Sequence, residues 1–184
     1  MDTEGAMMSN LTQGLVQVYT GDGKGKTTAA FGLAVRAVGH GFRVYIILFM
    51  KGKDDYGELD GLKRLQPECQ LEHFGGQGWV YKGEPQEEHV HEARKAFARA
   101  QEVINSGEWD IVILDEIINA LWFELIPEKD VMELVQKKPN HVEIILTGRN
   151  ASQNLIDAAD LVTEMVLKKH PYEQGIMARR GIEY

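Results

Sequence analysis

The residues best suited to chemistry form one stretch, Thr20-Gly21-Asp22-Gly23-Lys24-Gly25-Lys26-Thr27-Thr28. Glycines at positions 21, 23 and 25 let backbone N–H groups converge on an anion with no Cβ in the way, and a helix starting there adds the positive end of its dipole. The stretch reads as a triphosphate cradle formed by Gly21, Asp22, Gly23, Lys24, Gly25 and Thr28, with Lys26 reaching the phosphates and the Thr27 hydroxyl offered to Mg²⁺. One position departs from the usual phosphate-loop spacing. Thr20 stands where a glycine is expected, so either Thr20 opens the loop or the loop is one residue tighter from Gly21. A second set of groups is the pair Asp115-Glu116, two carboxylates ending the apolar run Ile111-Val112-Ile113-Leu114. Acids at the end of a buried strand are the other half of a phosphate-loop nucleotide site, where they hold Mg²⁺ directly or through water. Arg149 follows the strand expected over His141 to Leu146, at the edge where α/β sheets bind ligands, and is either a contact for phosphate or a propionamide or part of a plain surface turn.

These groups need strands and helices to position them. Leu15 to Tyr19 is a short β-branched run ahead of the cradle, and Thr28 to Val38 has helical composition, with Leu33, Ala34, Ala37 and Val38 on one stripe and Gly39-His40-Gly41 as the stop. Phe42 to Met50 is nearly all apolar, as suits a strand covered on both faces. From Lys51 to Gly61 the chain reads as a loop, followed by a helical turn over Leu62 to Gln66 and a weak strand over Cys69 to Phe74. Pro85 and the acids after it start a helix whose apolar positions Val90, Ala93, Phe97, Ala100 and Ile104 recur at helical spacing, ending at Asn105-Ser106-Gly107. His89 and His91 lie on it two residues apart, so they face different ways and are expected to be solvated. Pro127 to Lys138 and Asn154 to Ala159 read as helices, and Leu161 to Leu167 as a last strand. Strand and helix alternate throughout, which predicts an α/β fold of three layers around a mostly parallel central sheet of about six strands. The division expected is a flexible segment over 1–14 and one domain over 15–184.

Between the weak strand and the long helix runs Gly75-Gly76-Gln77-Gly78-Trp79-Val80-Tyr81-Lys82-Gly83-Glu84-Pro85, too rich in glycine for a regular element. Trp79 and Tyr81 are two apart and point the same way in extended chain, as a movable wall for a flat ligand would. A formal net charge of −8 over 184 residues excludes a nucleic-acid surface, which needs clustered Lys and Arg. The single cysteine, Cys69, rules out an intrachain disulfide framework, and the longest apolar run is too short to cross a bilayer. A cytoplasmic protein without membrane contact is expected.

Several stretches together carry a family resemblance: Gly21 to Gly32, Arg36-Ala37-Val38-Gly39-His40-Gly41, Leu114-Asp115-Glu116, Thr147-Gly148-Arg149, Lys169-His170 and Gly181-Ile182-Glu183-Tyr184. From about Leu15 onward the chain resembles the ATP:corrinoid adenosyltransferases that make adenosylcobalamin, and the tight Thr-Gly-x-Gly-Lys-Gly-Lys-Thr-Thr cradle is that family's own. The resemblance implies a phosphate-loop NTPase-like fold and transfer of the 5′-deoxyadenosyl group of ATP to the Co(I) of cobalamin, cobinamide or cobyrinic acid a,c-diamide, with release of triphosphate. ATP is the adenosyl donor and the corrinoid the substrate. It also implies Mg²⁺ or Mn²⁺ on Thr27, Glu116 and Asp115, an ATP contact from Arg36, and a nucleotide lying reversed in the cradle relative to ordinary phosphate-loop NTPases. Lys26, Trp79 and Tyr81 become the catalytic side chains, the last two matching an aromatic pair that displaces the corrinoid's lower axial base; familiar members carry Phe and Trp there. A homodimer is implied, with room for an electron-donating flavoprotein and, given the short N-terminal segment, partial cover over the corrinoid. The rival reading is a kinase or NTPase acting at the γ-phosphate, which needs a base or water-orienting residue that the sequence does not identify; a third is a switch module in which ATP orders the loops Lys51 to Gly61 and Gly75 to Pro85 for a protein partner.

Overall fold

The computed structural model describes residues 11–52 and 56–183. Short runs rich in Val, Ile and Leu form six strands: β1 Val16–Thr20, β2 Val44–Leu48, β3 Cys69–His73, β4 Ile111–Asp115, β5 Glu143–Thr147 and β6 Leu161–Glu164. They make one sheet in the order β3-β2-β4-β5-β1-β6, and every pairing is parallel. All their carboxyl ends therefore lie along one edge. β5 separates the cradle strand β1 from the acid-bearing strand β4, with Tyr19 beside Thr147 and Leu114 beside Leu146.

Parallel strands need crossovers, and these supply the outer layers. One face of the sheet, carrying Val18, Ile47, Leu114 and Leu146, packs against α3 Glu87–Ser106, α4 Ile117–Trp122 and α5 Glu128–Lys137. Leu155 of α6 Gln153–Ala158 joins the same cluster. The opposite face, carrying Ile46, Leu48, Ile113 and Ile145, packs against α1 Lys26–Val38 and α2 Gly57–Lys63. Residues of alternate parity along β1, β2, β4 and β5 thus serve opposite cores. Ala30, Ala34 and Ala37 are the buried face of α1. Small side chains there let the cradle helix lie close to the sheet, while Leu33 and Val38 pack at its flanks.

Four expectations need correction. The polar stretch before Gly61 holds α2, which starts at Gly57 rather than Leu62; Leu59 and Leu62, three apart, are both buried, and their burial outweighs the poor helix propensity of Gly57 and Gly61. Residues 53–55 of that stretch are outside those described. The short helix α4 is a further departure from expectation, since six residues, all apolar but Asn119 and one residue beyond a strand, are too few to carry a readable period. β6 ends at Glu164, not Leu167, because it is an exposed edge strand whose partner β1 gives way there to the cradle. His89 is buried, 4 % exposed, because the stripe facing the sheet is His89, Ala93, Ala96, Phe97 and Ala100, with His91 left in solvent. Extending the period four residues back from Ala93 selects His89, not Val90.

Residues 1–10 of the segment expected to be flexible lie outside those described. Gly14 is buried, its N–H donating to the Asn140 carbonyl at 2.7 Å. After β6 the chain has only the 3₁₀ turn Pro171–Gln174, and it runs exposed to residue 183.

The turn from β5 toward α6 requires a glycine. Gly148 has φ +145°, and a Cβ there would lie 2.7 Å from Ile118 Cβ and 2.8 Å from the Asn119 nitrogen. Gly148→Ala should lower stability by about 2–3 kcal/mol through overlap and strain, read as a reduced urea midpoint at unchanged m-value; an unaltered midpoint would mean that α4 yields freely.

Candidate functional site

The carboxyl edge of the sheet holds a cavity of about 1260 Å³. The cradle from Asp22 to Thr28 lines one side, Glu116, Thr147, Gly148 and Arg149 another. The cradle's shape follows from its glycines. Gly21 and Gly25 have φ of +93° and +120°, in the left-handed region. The second reason for glycine lies outside the loop: the chain leaving β6 crosses it, and Cβ atoms on Gly21 and Gly23 would lie 2.5 and 2.6 Å from the Met165 carbonyl oxygen. The Gly23 N–H donates to that oxygen at 2.6 Å. Thr20 is the last residue of β1, so the loop proper runs from Gly21, and the Thr20 hydroxyl accepts from the Ala151 N–H.

Lys26 is the first residue of α1, and its Nζ donates to the Gly21 and Gly23 carbonyls at 2.6 and 2.8 Å. Burial, then the nearby Arg149, pull its pKa below the ordinary lysine value, with Asp22, Glu116 and Asp115 opposing. Thr27 Oγ1 donates to Asp115 at 2.9 Å, and Thr147 Oγ1 donates to the same carboxylate at 2.6 Å. Asp115 is fully buried. Burial, helped by the adjacent Glu116 charge, raises its pKa to about 6, against the opposing pull of the two hydroxyls and Lys51. Glu116 takes a left-handed φ of 61°, which lets its N–H donate to Thr147 Oγ1 at 2.9 Å. Its carboxylate meets Lys51 Nζ at 2.9 Å.

The structure thus brings Asp22, Lys24, Lys26, Thr27, Thr28, Glu116 and Arg149 around one cavity, with Asp115 beneath it. Thr27 and the two carboxylates present oxygen only, the donor set of a hard divalent cation held by one or two carboxylates and completed by phosphate and water. Among the described residues no cluster of three or more His, Cys, Asp or Glu side chains could hold a metal unaided. Other predicted residues lie apart. Arg36 is exposed in the last turn of α1, off the cavity wall. Trp79 and Tyr81 are 82 % and 67 % exposed with Val80 turned inward between them, and neither borders the cavity.

Sequence reasoning missed other wall residues. Lys51 follows β2 at the same sheet edge as Arg149, and the argument that singled out the arginine applies equally to it. Asn119 accepts the Arg149 N–H at 2.7 Å, a contact no spacing reveals. The tail closes over the cradle: Lys24 Nζ donates to the Ile182 carbonyl at 2.7 Å and meets Glu183 at 3.3 Å.

A sequence model of one family, described as ATP:corrinoid adenosyltransferase BtuR/CobO/CobP, matches residues 12–184. The chain is 40 % identical over 174 residues to a protein named corrinoid adenosyltransferase from Sinorhizobium sp, covering 94 % of this chain and 81 % of that one. Proteins of the same name from Pseudomonas aeruginosa and Escherichia coli are 34 % and 33 % identical over 172 residues, covering 94 % of this chain and 84 % and 86 % of theirs. Among the described residues no helix is long and apolar enough to cross a membrane.

The raised pKa of Asp115 has a pH signature. A carboxyl whose folded pKa lies above its unfolded value binds more protons when folded, so its contribution to stability falls as pH rises from about 4 to about 6. In EDTA, Asp115→Asn should gain on the wild type by up to about 3 kcal/mol across that window, measured by urea unfolding at each pH. A gap independent of pH would show that Asp115 titrates normally.

Proposed function

The chain belongs to the ATP:corrinoid adenosyltransferase family and is an enzyme of the transferase class; from that premise we propose that it transfers the 5′-deoxyadenosyl group of ATP to the Co(I) of a reduced corrinoid, releasing triphosphate. The observation that carries this reading is that the cradle, Glu116 and Arg149 line a single cavity crossed by the tail, with Asp115 buried behind Thr27. The corrinoid is cobalamin, cobinamide or cobyrinic acid a,c-diamide, in adenosylcobalamin synthesis or salvage.

The chemistry divides between substrate and protein. The Co(I) electron pair forms the cobalt–carbon bond at C5′, the C5′–O bond breaks with its electrons leaving on triphosphate, and cobalt ends as Co(III). No side chain needs to attack. The chain's own work is to hold C5′ in line and to stabilise the leaving charge, with Lys24, Lys26 and Arg149 as cations and the cradle N–H groups and α1 dipole behind them. Thr27 and Glu116 would hold Mg²⁺ or Mn²⁺, oriented by Asp115, and the ion would supply further neutralisation of the triphosphate. Trp79 and Tyr81, on a loop edge flanked by Gly78 and Gly83 at φ +89° and +83°, are assigned to the corrinoid's lower face, where they displace the axial base. Arg36 is assigned a secondary ATP contact. The proposal extends to a cytoplasmic homodimer served by a reducing flavoprotein, which rests on family membership alone.

An anaerobic assay with Mg-ATP and chemically reduced cob(I)alamin tests the reaction: a light-sensitive alkylcobalamin with intact triphosphate is expected, whereas ADP and phosphate without a cobalt–carbon bond would put the γ-phosphate reading in its place. Lys26→Ala, losing a charge-assisted contact of about 1.5–3 kcal/mol, should raise the Kd for ATP at least tenfold, and unchanged binding would sink the cradle assignment. Trp79→Ala should leave ATP affinity intact and impair turnover of cob(II)alamin plus reductant more than turnover of pre-reduced cob(I)alamin. Equal losses with both would point to a packing role.

A further inference from the structure

Lys51 belongs to two places at once. Its side chain lines the nucleotide cavity, with Nζ 2.9 Å from Glu116 Oε1 and 4.9 Å from the centre of the Tyr56 ring. Its backbone belongs to the base of the aromatic loop: the Lys51 N–H donates to the Phe74 carbonyl at 2.8 Å, and the Lys51 carbonyl lies 3.0 Å from His73 Nδ1. The next residue continues the seam. The Gly52 carbonyl accepts from Gln77 Nε2 at 3.3 Å, and a Cβ on Gly52 would lie 2.5 Å from the Gly76 oxygen. A Cβ on Gly75 would lie 2.6 Å from the Lys51 nitrogen. Backbone 51–52 and backbone 75–76 are therefore in direct contact, and only glycine permits it.

A lysine ammonium and a divalent cation compete for one carboxylate. With the Lys51 side chain only 20 % and the Glu116 side chain 26 % exposed, the pair is shielded more than a surface ion pair, and a cation arriving at Glu116 repels Lys51. The other strong anion within reach of a lysine in that wall would be a polyphosphate bound in the cradle. We propose that Lys51 is an exchange counter-ion: it holds Glu116 while the cavity is without nucleotide and moves onto the polyphosphate chain when nucleotide enters. Its backbone then carries the change into residues 73–77, at the root of the loop bearing Trp79 and Tyr81. Lys51 is thus both a phosphate-binding residue and a positioning residue for the loop. This inference rests on the cavity being the nucleotide site.

Inorganic tripolyphosphate and Mn²⁺ are the probes. In EDTA, Lys51→Met should weaken tripolyphosphate binding about tenfold or more by calorimetry, while Lys51→Arg keeps most of the affinity. Without polyphosphate, Lys51→Met should bind Mn²⁺ more tightly than the wild type by electron paramagnetic resonance, because Glu116 has lost its competitor. Tripolyphosphate should slow amide exchange over residues 74–78 in the wild type and not in Lys51→Met, a readout that a merely structural ion pair would not move. Glu116→Gln approaches from the other side: freeing Lys51 should tighten metal-free tripolyphosphate binding, and the double variant should lose that gain. Unchanged tripolyphosphate affinity in Lys51→Met, beside a loss in Lys26→Ala, would overturn the role of Lys51 alone. Unchanged affinity in both would overturn the cavity reading as well.

Discussion

One buried carboxylate ties the site together. Asp115 ends β4, and the hydroxyls donating to it come from Thr27 at the start of α1 and Thr147 at the end of β5. Since β5 stands between the cradle strand and the acid strand, this triangle aligns three elements that backbone pairing alone leaves one strand apart. Full burial makes it demanding, because a carboxylate without water needs all its partners. The same burial leaves Glu116, one residue on, as the carboxylate facing the cavity, turned there by its left-handed backbone.

Close backbone approaches do the rest of the positioning. The chain beyond β6 lies against the cradle at Gly21 and Gly23, and the chain beyond β2 lies against Gly75 and Gly76. These contacts exclude side chains, so they fix how far loops can shift without breaking hydrogen bonds to Met165 or Phe74. Tethered loops with glycine joints suit the proposed entry of a large flat substrate beside a nucleotide. The exposed Trp79 and Tyr81 stand at the end of one such loop.

Charge is distributed to the same end. The chain is acidic overall, yet its cradle edge gathers Lys24, Lys26, Lys51 and Arg149 around one cavity. A locally cationic pocket in an anionic protein is suited to draw a polyphosphate to one place.

How much of this could be read beforehand depends on range. The cradle, the acid pair, all six strands and the long helices were legible because each is a local pattern: glycine spacing, an apolar run, a helical period, a proline or glycine at a boundary. The weak strand Cys69–His73 formed as expected, with Cys69 buried at its start. What failed was decided by contacts distant in sequence. α2 exists because Leu59 and Leu62 find a core to enter, β6 stops where β1 turns into the cradle, and His89 is buried because the face of α3 is chosen by the sheet beneath it. Residue types and their local spacing dictate which chemical groups this protein possesses and that they stand at strand ends. Which of them meet, with Thr147 and Thr27 sharing Asp115 and Lys51 facing Glu116, is set by strand order and register, which no local pattern encodes.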